Sequence, residues 1–124
     1  MIVGPNHFTV ITENLESTLD YYVDLIGLQP GPRPDLGFDG ARLYAVGRAI
    51  LHVYADRPIP PGVAGVIDHM AFTARGLKET KARFDARGWK YDLRQQKGSG
   101  TWQLFSHDPS GAKVELDFEA SETP

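Results

Sequence analysis

The chain repeats itself, and this constrains its fold more than any other feature. Asn6-His7-Phe8 lies over Asp68-His69-Met70 at an offset of 62, where Leu15 also meets Leu77, Thr18 meets Thr80 and Tyr22 meets Phe84. Toward the end of each copy, Ala49-Ile50-Leu51-His52 lies over Ala112-Lys113-Val114-Glu115 at an offset of 63. Self-similarity at a near-constant offset marks a duplicated supersecondary unit. In a chain of 124 residues, two independent domains would each bury too little apolar surface. The expected organisation is therefore one domain over 1–124, built from a first unit 1–57 and a second unit 65–119.

Within each copy the pattern reads strand, helix, strands. β-Branched and aromatic residues make 4–12 a strand. Asn14 is placed as an N-cap, and Leu15, Leu19, Tyr22 and Ile26 form an apolar stripe that Gly27 ends. Gln29 to Gly40 is Pro- and Gly-rich and reads as an irregular loop, long enough to lie over the mouth of a site. Residues 41–46 and 49–54 read as a hairpin turning at Gly47-Arg48. Pro58, Pro60 and Pro61 make 57–62 a linker. The second copy reads as a strand over 66–74, a helix over 77–87 with Leu77 and Phe84 inward, a short strand over 89–93, and strands over 101–106 and 112–118. Asp108-Pro109-Ser110-Gly111 matches a type I turn. The tail from Ala120 reads as frayed.

Composition narrows the function. The net charge is −3 and no Lys/Arg cluster forms a basic patch, which argues against nucleic acid. No apolar run approaches the ~20 residues of a membrane span, and the N-terminus lacks a signal-peptide pattern, so a cytoplasmic location is expected. With 0 cysteines there is no disulfide, thiolate metal site or Cys nucleophile. Gly98-Ser99-Gly100 lacks the strand–helix context of a phosphate loop. Lys78, Lys81, Arg83 and Arg87 read as the wet face of the second helix, and His107 as exposed.

Matching places in the two copies carry His7 and His52, then His69 and Glu115. Each has a plain reading: His7 a wet strand residue, His52 a core imidazole, His69 part of a surface step with Asp68, Glu115 on the solvated face of Val-Glu-Leu. Their recurrence at repeat-equivalent positions favours convergence on one metal. Imidazoles and a carboxylate without thiolate suit zinc, nickel, iron(II) or manganese. Two His and one carboxylate with open positions is the arrangement of non-haem iron(II) oxygenases.

With these residues the chain resembles the vicinal oxygen chelate superfamily, which includes glyoxalase I, fosfomycin-resistance transferases, bleomycin-resistance proteins, methylmalonyl-CoA epimerases and extradiol dioxygenases. The markers are Asn6-His7-Phe8-Thr9-Val10, Tyr21-Tyr22 to Gly27-Leu28, Asp68-His69-Met70-Ala71-Phe72, and Asp108-Pro109-Ser110-Gly111 leading to Val114-Glu115-Leu116. The resemblance implies an α+β fold of two βαβββ units forming a cupped mixed sheet around a divalent metal, and a homodimer. It implies His7, His69 and Glu115 as metal ligands, His52 and Glu115 as catalytic, and Thr9, Tyr54, Gln103 and Phe105 as substrate-binding. His52 departs from glyoxalase I, which offers a carboxylate there, and matches an acid–base His of extradiol dioxygenases. Phe105 departs from the pocket Tyr of those dioxygenases and of the fosfomycin transferases, and the sequence stops before the transferases' anion-binding Arg.

The expected function is a metal-dependent enzyme that chelates two adjacent oxygens of a small substrate, with iron(II) favoured over manganese, zinc or nickel. Ring cleavage by an iron(II) dioxygenase leads. A glyoxalase-I-like lyase or isomerase, with Glu115 as ligand and base, is the alternative. A bleomycin-resistance-like binding protein without metal is the rival from outside enzymes.

Overall fold

The computed structural model describes residues 1, 4–62 and 67–124, and the chain divides into two compact units, Met1–Pro61 and Gly62–Pro124. The first unit comprises β1 (Phe8–Ile11), α1 (Leu15–Leu19), a π-helical turn over Asp20–Leu25, β2 (Gln29–Pro30), β3 (Gly40–Ala45) and β4 (Arg48–Tyr54). The second comprises β5 (Met70–Thr73), α2 (Leu77–Arg87), β6 (Asp92–Gln95), β7 (Trp102–His107) and β8 (Lys113–Phe118). The strand orders are β1-β4-β3-β2 and β5-β8-β7-β6, so each unit is a βαβββ motif with a mixed four-stranded sheet. Only β1–β4 and β5–β8 pair in parallel. His52 lies opposite Thr9 in the first ladder and Glu115 opposite Ala71 in the second, the same place in each copy. The expected starts of the second unit at 65 and of its strand at 66 fall outside the described residues.

Alternation along the strands divides each sheet into two faces. Val10, Leu43, Leu51 and Val53 are buried on one face of the first sheet, as are Met70, Leu104, Val114, Leu116 and Phe118 on one face of the second. Each helix contributes its own buried stripe. In α2 this is Leu77, Thr80 and Phe84, as the spacing predicts apart from the added threonine.

The first helix differs from its expected stripe. Asn14 does cap it, its side chain accepting a hydrogen bond from the Ser17 N–H at 3.1 Å. The buried residues, however, are Thr18, Tyr21, Tyr22 and Leu25, while Leu15, Leu19 and Ile26 are only half-buried. From Asp20 onward the π-helical turn is the reason. The Ile26 N–H bonds the Tyr21 carbonyl, five residues back, at 3.0 Å, and this wider turn brings Tyr21 and Leu25 inward in place of Ile26.

Four other boundaries move. The start of the expected loop after Gly27 is instead the two-residue strand β2, pairing Gln29 with Tyr44. The β3–β4 hairpin turns at Val46-Gly47, with φ of 50° and 73°, rather than at Gly47-Arg48. Positive φ at both central residues is what a type I′ hairpin requires. β6 starts at Asp92 because the residues before it fasten the end of α2: the Trp89 N–H bonds the Phe84 carbonyl at 3.0 Å and the Tyr91 hydroxyl bonds Asp85 at 2.8 Å. The tail is not wholly frayed. Glu122 accepts from the Gly76 and Leu77 N–H groups at 3.0 and 2.7 Å, serving as the side-chain cap that Gly76 cannot provide.

Among the described residues no helix is long and apolar enough to cross a membrane. The Asp108 turn forms as expected, with Asp108 Oδ1 accepting from Ser110 and Ala112 at 2.9 and 2.8 Å and Gly111 N–H closing on the Asp108 carbonyl at 3.0 Å. Replacing Glu122 by Ala removes a carboxylate from two unsatisfied N–H groups at a helix start. The expected loss is about 1 kcal/mol in a denaturant-unfolding experiment. An unchanged midpoint would mean that the cap contributes nothing.

Candidate active site

The face of each sheet away from the apolar side chains carries the polar residues. In the first unit these are His7, Thr9, His52 and Tyr54, joined by Arg42, which lies opposite His52 in the β3–β4 ladder. His52 is buried, and its ring stacks on His7 with centroids 3.8 Å apart and planes 14° from parallel. His7 Nδ1 meets Asn6 Oδ1 at 2.6 Å. An amide oxygen only accepts, so Nδ1 is the donor in this contact. Burial lowers the His52 pKa, and the neighbouring His7, Arg42 and Arg33 lower it further. At neutral pH His52 is thus an uncharged imidazole, able to accept a proton.

The loop between β2 and β3 returns to this face. Phe38 sits edge-on to Tyr54, with centroids 4.9 Å apart, and the Arg33 and Arg57 guanidinium groups each lie 5.1 Å from the Phe38 ring. Arg33 Nη1 also donates to the Phe38 carbonyl at 3.0 Å.

In the second unit the face carries His69, Gln103, Phe105, Glu115 and Asp117. His69 Nε2 lies 2.7 Å from Glu115 Oε2, and its Nδ1 lies 2.7 Å from Asp68 Oδ2. Gln103 Nε2 donates to Glu115 Oε1 at 2.6 Å. Phe105 lies opposite Glu115 in the ladder and meets the His69 ring edge-on at 5.9 Å. Arg94 and Lys113 lie over the Phe105 ring at 4.4 and 5.1 Å. The Asp68 carboxyl is held below its usual range by its hydrogen bond to His69, with Lys113 adding to the effect.

Each unit therefore gathers one half of the expected set: His7, Thr9, His52 and Tyr54 in the first, and His69, Gln103, Phe105 and Glu115 in the second. Among the described residues no three His, Asp or Glu side chains are grouped as a ready metal cage. The His69–Glu115 pair does fit a divalent ion. An imidazole nitrogen and a carboxylate oxygen about 3 Å apart have the spacing of adjacent ligands with bonds of about 2.0–2.2 Å. The other polar atom of each is already fixed, by Asp68 and by Gln103, in the manner of outer partners that orient metal ligands. His107 is exposed, as expected.

Several residues of these faces escape sequence reasoning. Asn6 and Asp68 hold repeat-equivalent histidines by the same ring atom, and their place just before each His was the available signal. Asp117 shares the Glu115 face through its spacing of two on a strand. Its carboxyl is pushed up to about 6, first by burial and then by the adjacent Glu115, and its Oδ1 is buried without a hydrogen-bond partner. A folded-state pKa above the usual 3.8 means that the native state holds the proton more tightly than the unfolded chain. The metal-free protein should then lose stability as pH rises from about 4 to about 6. Asp117→Asn should flatten this decline and raise stability at pH 7, as followed by thermal unfolding across pH. The same slope in the variant would assign the decline to another group.

Comparison with known proteins agrees with this architecture. Residues 4–116 match the model of the Glyoxalase/Bleomycin resistance protein/Dioxygenase superfamily. The chain is 28% identical to Glyoxylase I 4 of Arabidopsis thaliana over 118 residues, covering 90% of this chain and 68% of that protein. A glyoxalase family protein from Bacillus anthracis superimposes with a TM-score of 0.78 at 19% identity, covering 96% and 97% of the two chains. Lactoylglutathione lyase from Agrobacterium tumefaciens superimposes with a TM-score of 0.67 at 21% identity, covering 93% and 92%. With the family match spanning almost the whole chain and the duplicated βαβββ fold in place, the chain belongs to the Glyoxalase/Bleomycin resistance protein/Dioxygenase superfamily, the vicinal oxygen chelate group.

Proposed function

We propose that the chain is a divalent-metal enzyme acting on a small substrate with two adjacent oxygens, and that it moves a proton between neighbouring carbons as a lyase or isomerase of glyoxalase type. The observation that carries this reading is the His69–Glu115 contact at 2.7 Å, with Asp68 and Gln103 fixing the far side of each group. His69 and Glu115 would hold the ion. When bound, the ion supplies Lewis-acid polarisation of the substrate oxygens. Glu115 takes the proton from the carbon beside the polarised carbonyl and returns it to the neighbouring carbon. Gln103 holds the carboxylate, Phe105 lines the substrate's path beside it, and Thr9 and Tyr54 stand on the corresponding face of the first unit. The glyoxalase names among the relatives support this choice over the ring-cleaving reading favoured by sequence alone. The working unit is proposed to be a cytoplasmic homodimer.

One observation favours the second reading, an iron(II) ring-cleaving dioxygenase using dioxygen. His52 is buried and its pKa is lowered, which suits a neutral base that takes a catechol proton. Iron(II) is required there, whereas manganese, zinc or nickel also serve proton transfer.

The test is to strip the protein and reload it anaerobically with each ion, then assay hemithioacetal isomerisation and catechol-dependent oxygen uptake. Glu115→Ala should lose most of the metal while remaining folded, and full occupancy in that variant would overturn the ligand assignment. His52→Gln separates the readings. Retained metal with turnover lowered roughly 10²–10⁴-fold marks an acid–base residue. Weakened metal marks a ligand in the place of the glyoxalase carboxylate. Unchanged metal and rate, with stability lower by about 1–3 kcal/mol, mark a core imidazole. A wild-type protein that takes up no ion yet binds small molecules would be a bleomycin-resistance-like binder, and the proposed enzyme would be rejected.

A further inference from the structure

The first unit holds two cationic donors without a partner among the described residues. Arg42 Nε and Arg33 Nη2 are both buried, and neither has a hydrogen-bond partner among the described residues. No carboxylate among those residues forms an ion pair with either side chain. A buried charged donor left unpaired is destabilising, and folds retain one chiefly where a ligand supplies the acceptor. Other parts of the molecule invite the same question, but the acidic face of the second unit already belongs to the proposed metal site.

The two guanidinium groups are placed as a built site would place them. Arg42 stands opposite His52 in the ladder, on the face that carries His7, Thr9 and Tyr54. Arg33 is fastened through its other nitrogen to the Phe38 carbonyl at 3.0 Å and lies against the Phe38 ring. Phe38 in turn packs on Tyr54 of the same face. Arg33 is thus held by Nη1 with Nη2 left without a partner, and Arg42 presents a buried Nε without one. Such forks match the paired oxygens of a carboxylate or phosphate.

We infer that the Arg33–Arg42 face of the first unit binds an anionic oxygen group of a small molecule, a carboxylate or a phosphate. Arg57, over the Phe38 and Tyr54 rings at 5.1 and 5.6 Å, adds positive charge near the aromatic pair.

The experiment uses the metal-free chain labelled with ¹⁵N. Benzoate, phenyl phosphate and neutral benzamide are titrated in turn while the arginine Nε–H resonances are followed. The two anions should shift the Arg42 Nε–H signal saturably, and benzamide should not. Arg42→Gln and Arg33→Gln should each weaken anion binding about tenfold, the loss of one charge-assisted hydrogen bond. Arg42→Lys, which keeps the charge and disturbs the fold least, should recover part of the affinity. Tighter binding of benzoate would mark a carboxylate, and tighter binding of phenyl phosphate a phosphate. Equal binding of benzamide and benzoate, or wild-type anion affinity in folded Arg42→Gln and Arg33→Gln proteins, would overturn the inference. Because no metal is present, failure of the ion to bind in the earlier experiment leaves this result standing, and failure here leaves the metal assignment standing.

Discussion

The parallel ladder between the first and last strand of each unit is the contact on which everything else depends. It is the longest-range pairing within each copy, joining Phe8 to Leu51 and Met70 to Val114. Without it His7 would have no His52 to stack on, and His69 would have no Glu115 facing its Nε2. Parallel pairing needs a crossover, and the helix of each unit supplies it while covering the apolar face. The chemistry-bearing face is thus the one left over after the core has been built.

The duplicated scaffold has diverged in charge. The first copy places two imidazoles beside arginines, and the second places an imidazole beside two carboxylates. The clearest exchange is at the ladder partner of the central residue, Arg42 opposite His52 but Phe105 opposite Glu115. One copy therefore disfavours a protonated histidine, and the other disfavours a second ionised carboxylate. Asn6 and Asp68 show the same divergence on a smaller scale, holding equivalent rings through a neutral and a charged oxygen.

Much of this was legible from residues. The offset of His7 to His69 and of His52 to Glu115 identified the repeat; the ladders place His52 and Glu115 at equivalent positions, and His7 and His69 each stand one residue before the first strand. Asn14, Gly88 and the Asp108 turn marked boundaries that the structure keeps, because caps and turns are local chemistry. Arg42 was hidden by a single residue. A turn at Gly47-Arg48 would put Leu43 opposite His52, and a regular ladder from the turn at Val46-Gly47 would put Ala41 there; the one-residue shift in pairing between Leu43 and Tyr44 puts Arg42 there instead, since a one-residue slip exchanges the faces of a strand. This irregularity is absent from β7–β8 and invisible to alternation. The π-helical turn hid the buried role of Tyr21 in the same way, by breaking a period that sequence reading assumes constant. The raised carboxyl of Asp117 depends on burial, and the placement of Arg33 on side-chain reach, neither of which spacing encodes.

The contact between Glu122 and the start of α2 also orders events in time. A ribosome releases the β5–α2 segment some forty residues before it releases Glu122. Until then the Gly76 and Leu77 N–H groups lack their cap, and β5 lacks β8, its one sheet neighbour among the described residues. A nascent second unit therefore holds an uncapped helix beside an unpaired strand, and both deficits are removed by the segment from Lys113 to Glu122. Completion of this unit is accordingly a late, cooperative event, whereas the first unit has all its strands in hand once Tyr54 has emerged.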